Sequence, residues 1–258
     1  KDAINQGNSE LKQIFLKSTQ AKMLYSNGAF YSPDISKLLN FFDDLSIELT
    51  YPSEDYDSIY KVISDLKKKS VAKMNIIITI TNTQEVGTKF KNNSYINSVI
   101  IESPVSLINP HSFSSCTSLS RVLIPSTVKT IGSSAFEGCS SLSEVQFELP
   151  SELTSIDGYA FHGCYNLSEI TIPDSVTTIG EGSFMDCATL DSLTLPKSLT
   201  KIGYDGFSGC QSMKKFEIPE TVTTIGHTAF SNCESLEEVQ IPNTLTEFSE
   251  GLFEKCTS

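Results

Sequence analysis

The 258-residue sequence has no tryptophan, three histidines and only 19 lysines and arginines against 31 acidic residues. The net charge of −12 excludes a general affinity for nucleic acid or an anionic membrane surface. No apolar run approaches the length of a membrane span. Residues 1–10 (KDAINQGNSE) carry no apolar signal stretch. Catalytic signatures are missing too: there is no G-x-S-x-G, no G-x-x-x-x-G-K-[ST], no G-x-G-x-x-G opening a helix and no H-E-x-x-H. The seven cysteines contain no C-x-x-C pair, so a zinc site is not supported, and their odd number argues against a fully paired disulfide framework. His111, His162 and His227 stand at different distances from their nearest phenylalanine, which argues against a shared metal site or a triad. The expectation is therefore a chain that is not an enzyme, with no cofactor and no metal.

What is present is a core former and a beat. Fifteen phenylalanines and nine tyrosines supply enough apolar surface to exclude a disordered tail. Residues 1–75 hold ten lysines and ten acidic residues, so residues 76–258 carry the whole −12. The cysteines are Cys116, Cys139, Cys164, Cys187, Cys210, Cys233 and Cys256, separated by 23, 25, 23, 23, 23 and 23 residues. A phenylalanine precedes each by three positions, from Phe113 to Phe253. Prolines at 125, 150, 173, 196, 219 and 242 keep the same beat, as do Gly132, Gly180, Gly203 and Gly226, with Asp157 replacing one glycine. Several residue types locked to one period are the signature of a repeat array.

Leu167–Thr189 (LSEITIPDSVTTIGEGSFMDCAT) shows the unit clearly. Leu167, Ile170 and Ile172 form a short strand with one buried face, and proline ends it because it cannot donate to a sheet ladder. Val176 and Ile179 supply a second apolar pair. Gly180 marks a tight bend with positive φ or a close backbone approach. A small residue before most phenylalanines suits a crowded turn. One such unit cannot bury its own side chains, but stacked copies can, with strands about 4.8 Å apart and like residues in columns. The cysteines then form one column of buried thiols acting as small hydrophobes. Between Val145 and Pro150 the repeat gains two residues (VQFELP), which reads as a tolerated bulge able to reshape the rim.

This pattern resembles the BspA-like, or Treponema-type, leucine-rich repeats, whose unit is close to LxxIxIPxSVTxIGxxAFxxCxS. The resemblance is strong over 96–258, weak over 74–95, where Phe90 and Asn93 take the Phe and Cys places, and absent from 1–73. It implies a leucine-rich-repeat solenoid with the LxxIxI strands in a parallel sheet on the concave face and short strands and turns on the convex face. It also implies protein binding, with family members associated with microbial surfaces, host matrix proteins or cells.

Residues 1–73 read as a mainly helical N-terminal cap or module. Helices are expected over about 9–25, 34–46 and 53–69, the last with Tyr56, Ile59, Tyr60, Ile63 and Leu66 on one stripe. A cap suits a solenoid, whose open end exposes core and strand edge.

The candidate partner-binding residues are the outward positions of the LxxIxI strands. One column gives Arg121, Glu144, Glu169, Lys215 and Glu238; its neighbours give Asp191, Lys214 and Glu237, and Gln146, Thr171 and Glu217. Lys214 beside Glu237 and Lys215 beside Glu238 would be opposite-charge pairs, and Glu144 beside Glu169 a like-charge pair. Tyr159, Tyr165 and Tyr204 on the outer turns offer another contact surface. The expected role is non-catalytic protein binding. The leading version is adhesion at a cell surface, with a host matrix or cell-surface protein as partner. The alternative is a cytoplasmic scaffold docking other proteins by the same solenoid.

Overall fold

The computed structural model describes residues 47–52, 76–81, 83–245 and 249–257. Each turn of chain contributes one strand to a first sheet and a two-residue strand to a second. The first-sheet strands are β1 (Ile47–Pro52), β2 (Ile76–Thr81), β4 (Ile96–Ile101), β6 (Arg121–Ile124), β8 (Glu144–Phe147), β10 (Glu169–Thr171), β12 (Ser192–Thr194), β14 (Lys215–Glu217) and β16 (Glu238–Gln240). The second-sheet strands are β3 (Glu85–Val86), β5 (Leu107–Ile108), β7 (Thr130–Ile131), β9 (Ser155–Ile156), β11 (Thr178–Ile179), β13 (Lys201–Ile202) and β15 (Thr224–Ile225). All pairing is parallel, with Val122 beside Val145 and Ile179 beside Ile202. This is the leucine-rich-repeat solenoid, about seven turns of the 23-residue unit.

The columns are as expected. Phe90, Phe113, Phe136, Phe161, Phe184, Phe207, Phe230 and Phe253 stack ring on ring, with centroids 5.3–5.7 Å apart. That spacing lies within the favourable range for aromatic pairs, each worth about 0.5–1.5 kcal/mol beyond its area burial. The glycines act by close approach. A Cβ on Gly180 would lie 2.6 Å from the Gly158 nitrogen, and one on Gly226 2.3 Å from the Tyr204 nitrogen.

Two features differ from the sequence reading. First, the cysteines are more than small hydrophobes. Every Sγ donates to the carbonyl of the phenylalanine in the preceding turn, from Cys116 on Phe90 at 3.1 Å to Cys256 on Phe230 at 3.2 Å. The carbonyls of Phe90, Phe113, Phe136, Phe161, Phe184 and Phe207 also accept the backbone N–H three residues on, so the thiol adds a second, small donor to an acceptor with two lone pairs. In the preceding turn Asn93 takes the place, and its Oδ1 accepts from Tyr95 N and Ile96 N at 2.9 and 3.3 Å. Second, the first sheet is discontinuous. It runs β1-β2-β4-β6-β8, then β10-β12, then β14-β16, whereas the second sheet runs unbroken from β3 to β15. The break after β8 coincides with the two inserted residues. The break after β12 coincides with Phe216, the largest residue in a column otherwise filled by Val, Ile and Leu. Its ring packs against Phe207 and Phe230 at 5.4 and 4.8 Å.

The three expected N-terminal helices at 9–25, 34–46 and 53–69 lie outside the described residues, and a helical cap is not shown. Between the second and third expected helices, β1 pairs with β2 and carries the first sheet upstream of residue 74. No strand was expected there.

Candidate functional site

The first-sheet strands alternate, so every second side chain leaves the core. Val122, Val145, Ile170 and Phe216 are buried, and their neighbours in sequence point outward. Arg121, Gln146, Glu169, Thr171, Asp191, Lys214, Lys215, Glu217, Glu237 and Glu238 are exposed, and Glu144 is half-buried. The structure gathers them into separate groups. Arg121 pairs with Glu144 across β6 and β8 at 3.2 Å and donates to Gln146 Oε1 at 3.3 Å, while Gln146 Nε2 donates to Glu144. Lys215 pairs with Glu238 across β14 and β16 at 3.1 Å. That pair raises the lysine pKa and lowers that of the carboxyl, chiefly through the hydrogen bond between them. Lys214 and Glu237 are tied by their backbones, Glu237 N donating to Lys214 O at 2.9 Å. Thr171 and Glu217 stand beside Thr194 and Gln240 in the ladders. Glu169 stands beside Ser192. Glu144 and Glu169 are not ladder neighbours, because β8 and β10 do not pair.

The two breaks are where the face becomes concave on the scale of a side chain. At the β8/β10 break there is a groove of about 1340 Å³, whose walls include Glu144, Phe147, Leu149, Glu169, Ile172 and Asp174. At the β12/β14 break a second groove of about 670 Å³ is lined by Leu193, Lys215, Glu217 and Glu220. Thr194, Leu195 and Lys197 line both, so the grooves adjoin. The sequence signal for the first was the insertion itself; Leu149 on it is 74% exposed. Nothing beyond an atypical Phe216 pointed to the second.

The outer turns carry the other candidate surface. Tyr165 and Tyr204 are 51% and 53% exposed. Tyr204 stacks on His227 with centroids 5.5 Å apart, and Tyr159 donates to Glu181 at 2.5 Å. That hydrogen bond raises the Tyr159 pKa. His162 lies between Glu137 at 3.6 Å and Asp186 at 3.5 Å. Among the described residues no group of three or more His, Cys, Asp or Glu side chains is placed to hold a metal ion, and no helix is long and apolar enough to cross a membrane. The thiols are buried except for the half-buried Cys256. Burial pushes Cys116 and Cys233 up to about 12 and the others upward too, so they are poor nucleophiles.

Comparison with known proteins agrees with this geometry. The BspA type leucine rich repeat region matches in six copies over residues 67–148, 84–211 and 145–258. A leucine-rich repeat protein from Bacteroides ovatus is 32% identical with a TM-score of 0.60, the match covering 66% of this chain and 46% of that one. The chain thus spans about half the length of that relative. The T. pallidum leucine-rich repeat protein is 31% identical over 70% of each chain, with a TM-score of 0.45. No curated protein matches the sequence. Matched across most of its length by repeats whose every column is visible in the structure, the chain belongs to the BspA-type leucine-rich repeat family.

Proposed function

We propose that the chain is a non-catalytic protein-binding solenoid that works at a cell surface as an adhesion protein, its partner a host matrix or cell-surface protein held on the first-sheet face. The observation that carries this reading is that face itself. It is an array of exposed polar columns, interrupted by two adjoining grooves, on a family scaffold suited to protein binding. The surface version rests further on the family's association with microbial surfaces.

Unpaired thiols are the feature that favours the cytoplasmic alternative. Their burial and raised pKa values remove that preference, since thiols so protected survive an oxidising medium. Two measurements test the proposal. Protease treatment of intact cells should digest the protein without lysis; resistance would count for the scaffold. The purified chain should bind immobilised matrix glycoproteins, and binding should fall when Arg121, Glu144, Lys215 and Glu238 are replaced together by alanine.

A further inference from the structure

The sheet face differs in character along its length. Two ion pairs cross neighbouring strands, Arg121 with Glu144 on β6 and β8 and Lys215 with Glu238 on β14 and β16. Of the carboxylates lining the β8/β10 groove, only Glu144 is paired. Glu148, Glu169 and Asp174 line that groove and form no ion pair among the described residues, and Lys197 is its single cationic wall residue. Backbone donors only partly satisfy them: Ser126 N reaches Glu148 at 3.3 Å and Lys197 N reaches Asp174 at 3.4 Å. The same groove holds Leu149, the most exposed large hydrophobic residue among the described residues, beside the half-buried Phe147.

These two properties together restrict the occupant. An apolar or acidic segment could cover Leu149, but it would draw three carboxylates out of water without supplying a counter-charge, which is unfavourable. A purely cationic segment would satisfy the carboxylates and leave the leucine in water. A segment with lysine or arginine flanking an apolar side chain meets both demands, and its charge complements the acidic array.

We propose that the groove opened by the insertion at 148–149 binds a cationic polypeptide segment of the partner, seating an apolar side chain on Leu149 and Phe147 and its basic side chains against Glu148, Glu169 and Asp174. This rests on the sheet face being the partner-binding surface and names the chemistry that it takes.

Fluorescence anisotropy with the purified chain tests it, using a labelled peptide of lysines and leucines spaced by serine. The wild-type chain should bind this peptide and lose affinity as salt rises. Leu149→Ser, and separately Glu169→Gln with Asp174→Asn, should each weaken binding by about tenfold. Lys129→Ala with Glu152→Ala, an exposed ion pair that lines neither groove, should leave it unchanged. A peptide with glutamate for lysine should not bind. Absence of wild-type binding, equal binding of the glutamate peptide, or unchanged affinity in both groove variants would overturn the proposal. The carboxylate pair of substitutions removes charge with little change of shape, so it decides the matter even if Leu149→Ser does not fold. No matrix protein enters this assay, so it can fail while matrix binding stands, and matrix binding can fail while it succeeds.

Discussion

At the scale of the residue, the turns are held by side chains that look interchangeable in sequence but carry different demands. Two columns flank the phenylalanines in the left-handed region. One comprises His111, Ser134, Tyr159, Gly182, Asp205, Thr228 and Gly251, with φ between 52° and 68°. Most of these are not glycine, and a left-handed conformation costs an L-residue about 1–2 kcal/mol. Thr228 is the least suited, being β-branched. Its contacts in the turn are backbone ones, N to Glu250 O and O from Ser231 N. Thr228→Gly should therefore stabilise the fold by about 0.5–1 kcal/mol after glycine's larger unfolded-state entropy is subtracted; urea unfolding would read the gain. The thiols make the opposite prediction. Their folded pKa values lie above the ordinary 9, reaching about 12 at Cys116 and Cys233. Their contribution is complete below pH 9 and is lost as pH climbs toward 12, because the unfolded chain releases the protons first. Each buried thiol adds a slope of about 1.4 kcal/mol per pH unit. Circular dichroism against pH should show steep alkaline unfolding above pH 9, shallower by one thiol's share in Cys139→Ala. That variant should also lose about 0.5–1.5 kcal/mol at neutral pH, because Phe113 O keeps only its bond from Cys116 N.

At the scale of the element, the two inserted residues decide whether a strand pairs. Pro150 should directly follow Phe147, as Pro173 follows Ile172, if Glu148 and Leu149 are deleted. The shortened chain should then join β8 to β10, close the groove and melt at a higher temperature. Slower amide hydrogen exchange across residues 169–171 would report the new ladder; exchange at the wild-type rate would acquit the insertion. Periodicity made the columns, the strand positions and the outward-facing residues legible, because a stack repeats each residue's environment once per turn. It could not show the breaks. Pairing depends on small displacements between neighbouring turns, and a bulky Phe216 looks in sequence like any other apolar residue at its position. The thiol–carbonyl bonds were hidden for a similar reason: a buried cysteine is read as apolar until the acceptor opposite it is known. The left-handed columns left a trace in Gly138, Gly163, Asp186, Gly209 and Asn232. It was diluted by residues with no turn preference.

At the scale of the whole molecule, the question is what makes a stack of turns one cooperative body when its first sheet is in pieces. Across the β8/β10 break run the second sheet from β9 to β11, the Phe161–Phe184 ring contact at 5.3 Å, the Cys187 bond to Phe161 O, and outer-turn bonds such as Phe161 N to Ser183 O and Gly163 N to Met185 O at 2.8 and 2.9 Å. Elsewhere, as between β6 and β8, a first-sheet ladder adds to the same set. Contacts in a solenoid join nearest neighbours only, so stability is a sum over turns and the interfaces between them. The weakest interface limits cooperativity. Phe184→Ala and Phe113→Ala remove the same buried ring and should each cost about 3–5 kcal/mol. Their consequences should differ in kind. Phe113 belongs to a turn laddered on both sides by β4, β6 and β8, so its loss should lower a single melting transition. Phe184 adjoins the break, where the lost ring has no first-sheet ladder behind it. Its removal should separate the turns before the break from those after it, giving two transitions in calorimetry and unequal exchange protection on the two sides. A single lowered transition in both variants would show that the second sheet and the outer-turn bonds hold the array together without a first-sheet ladder.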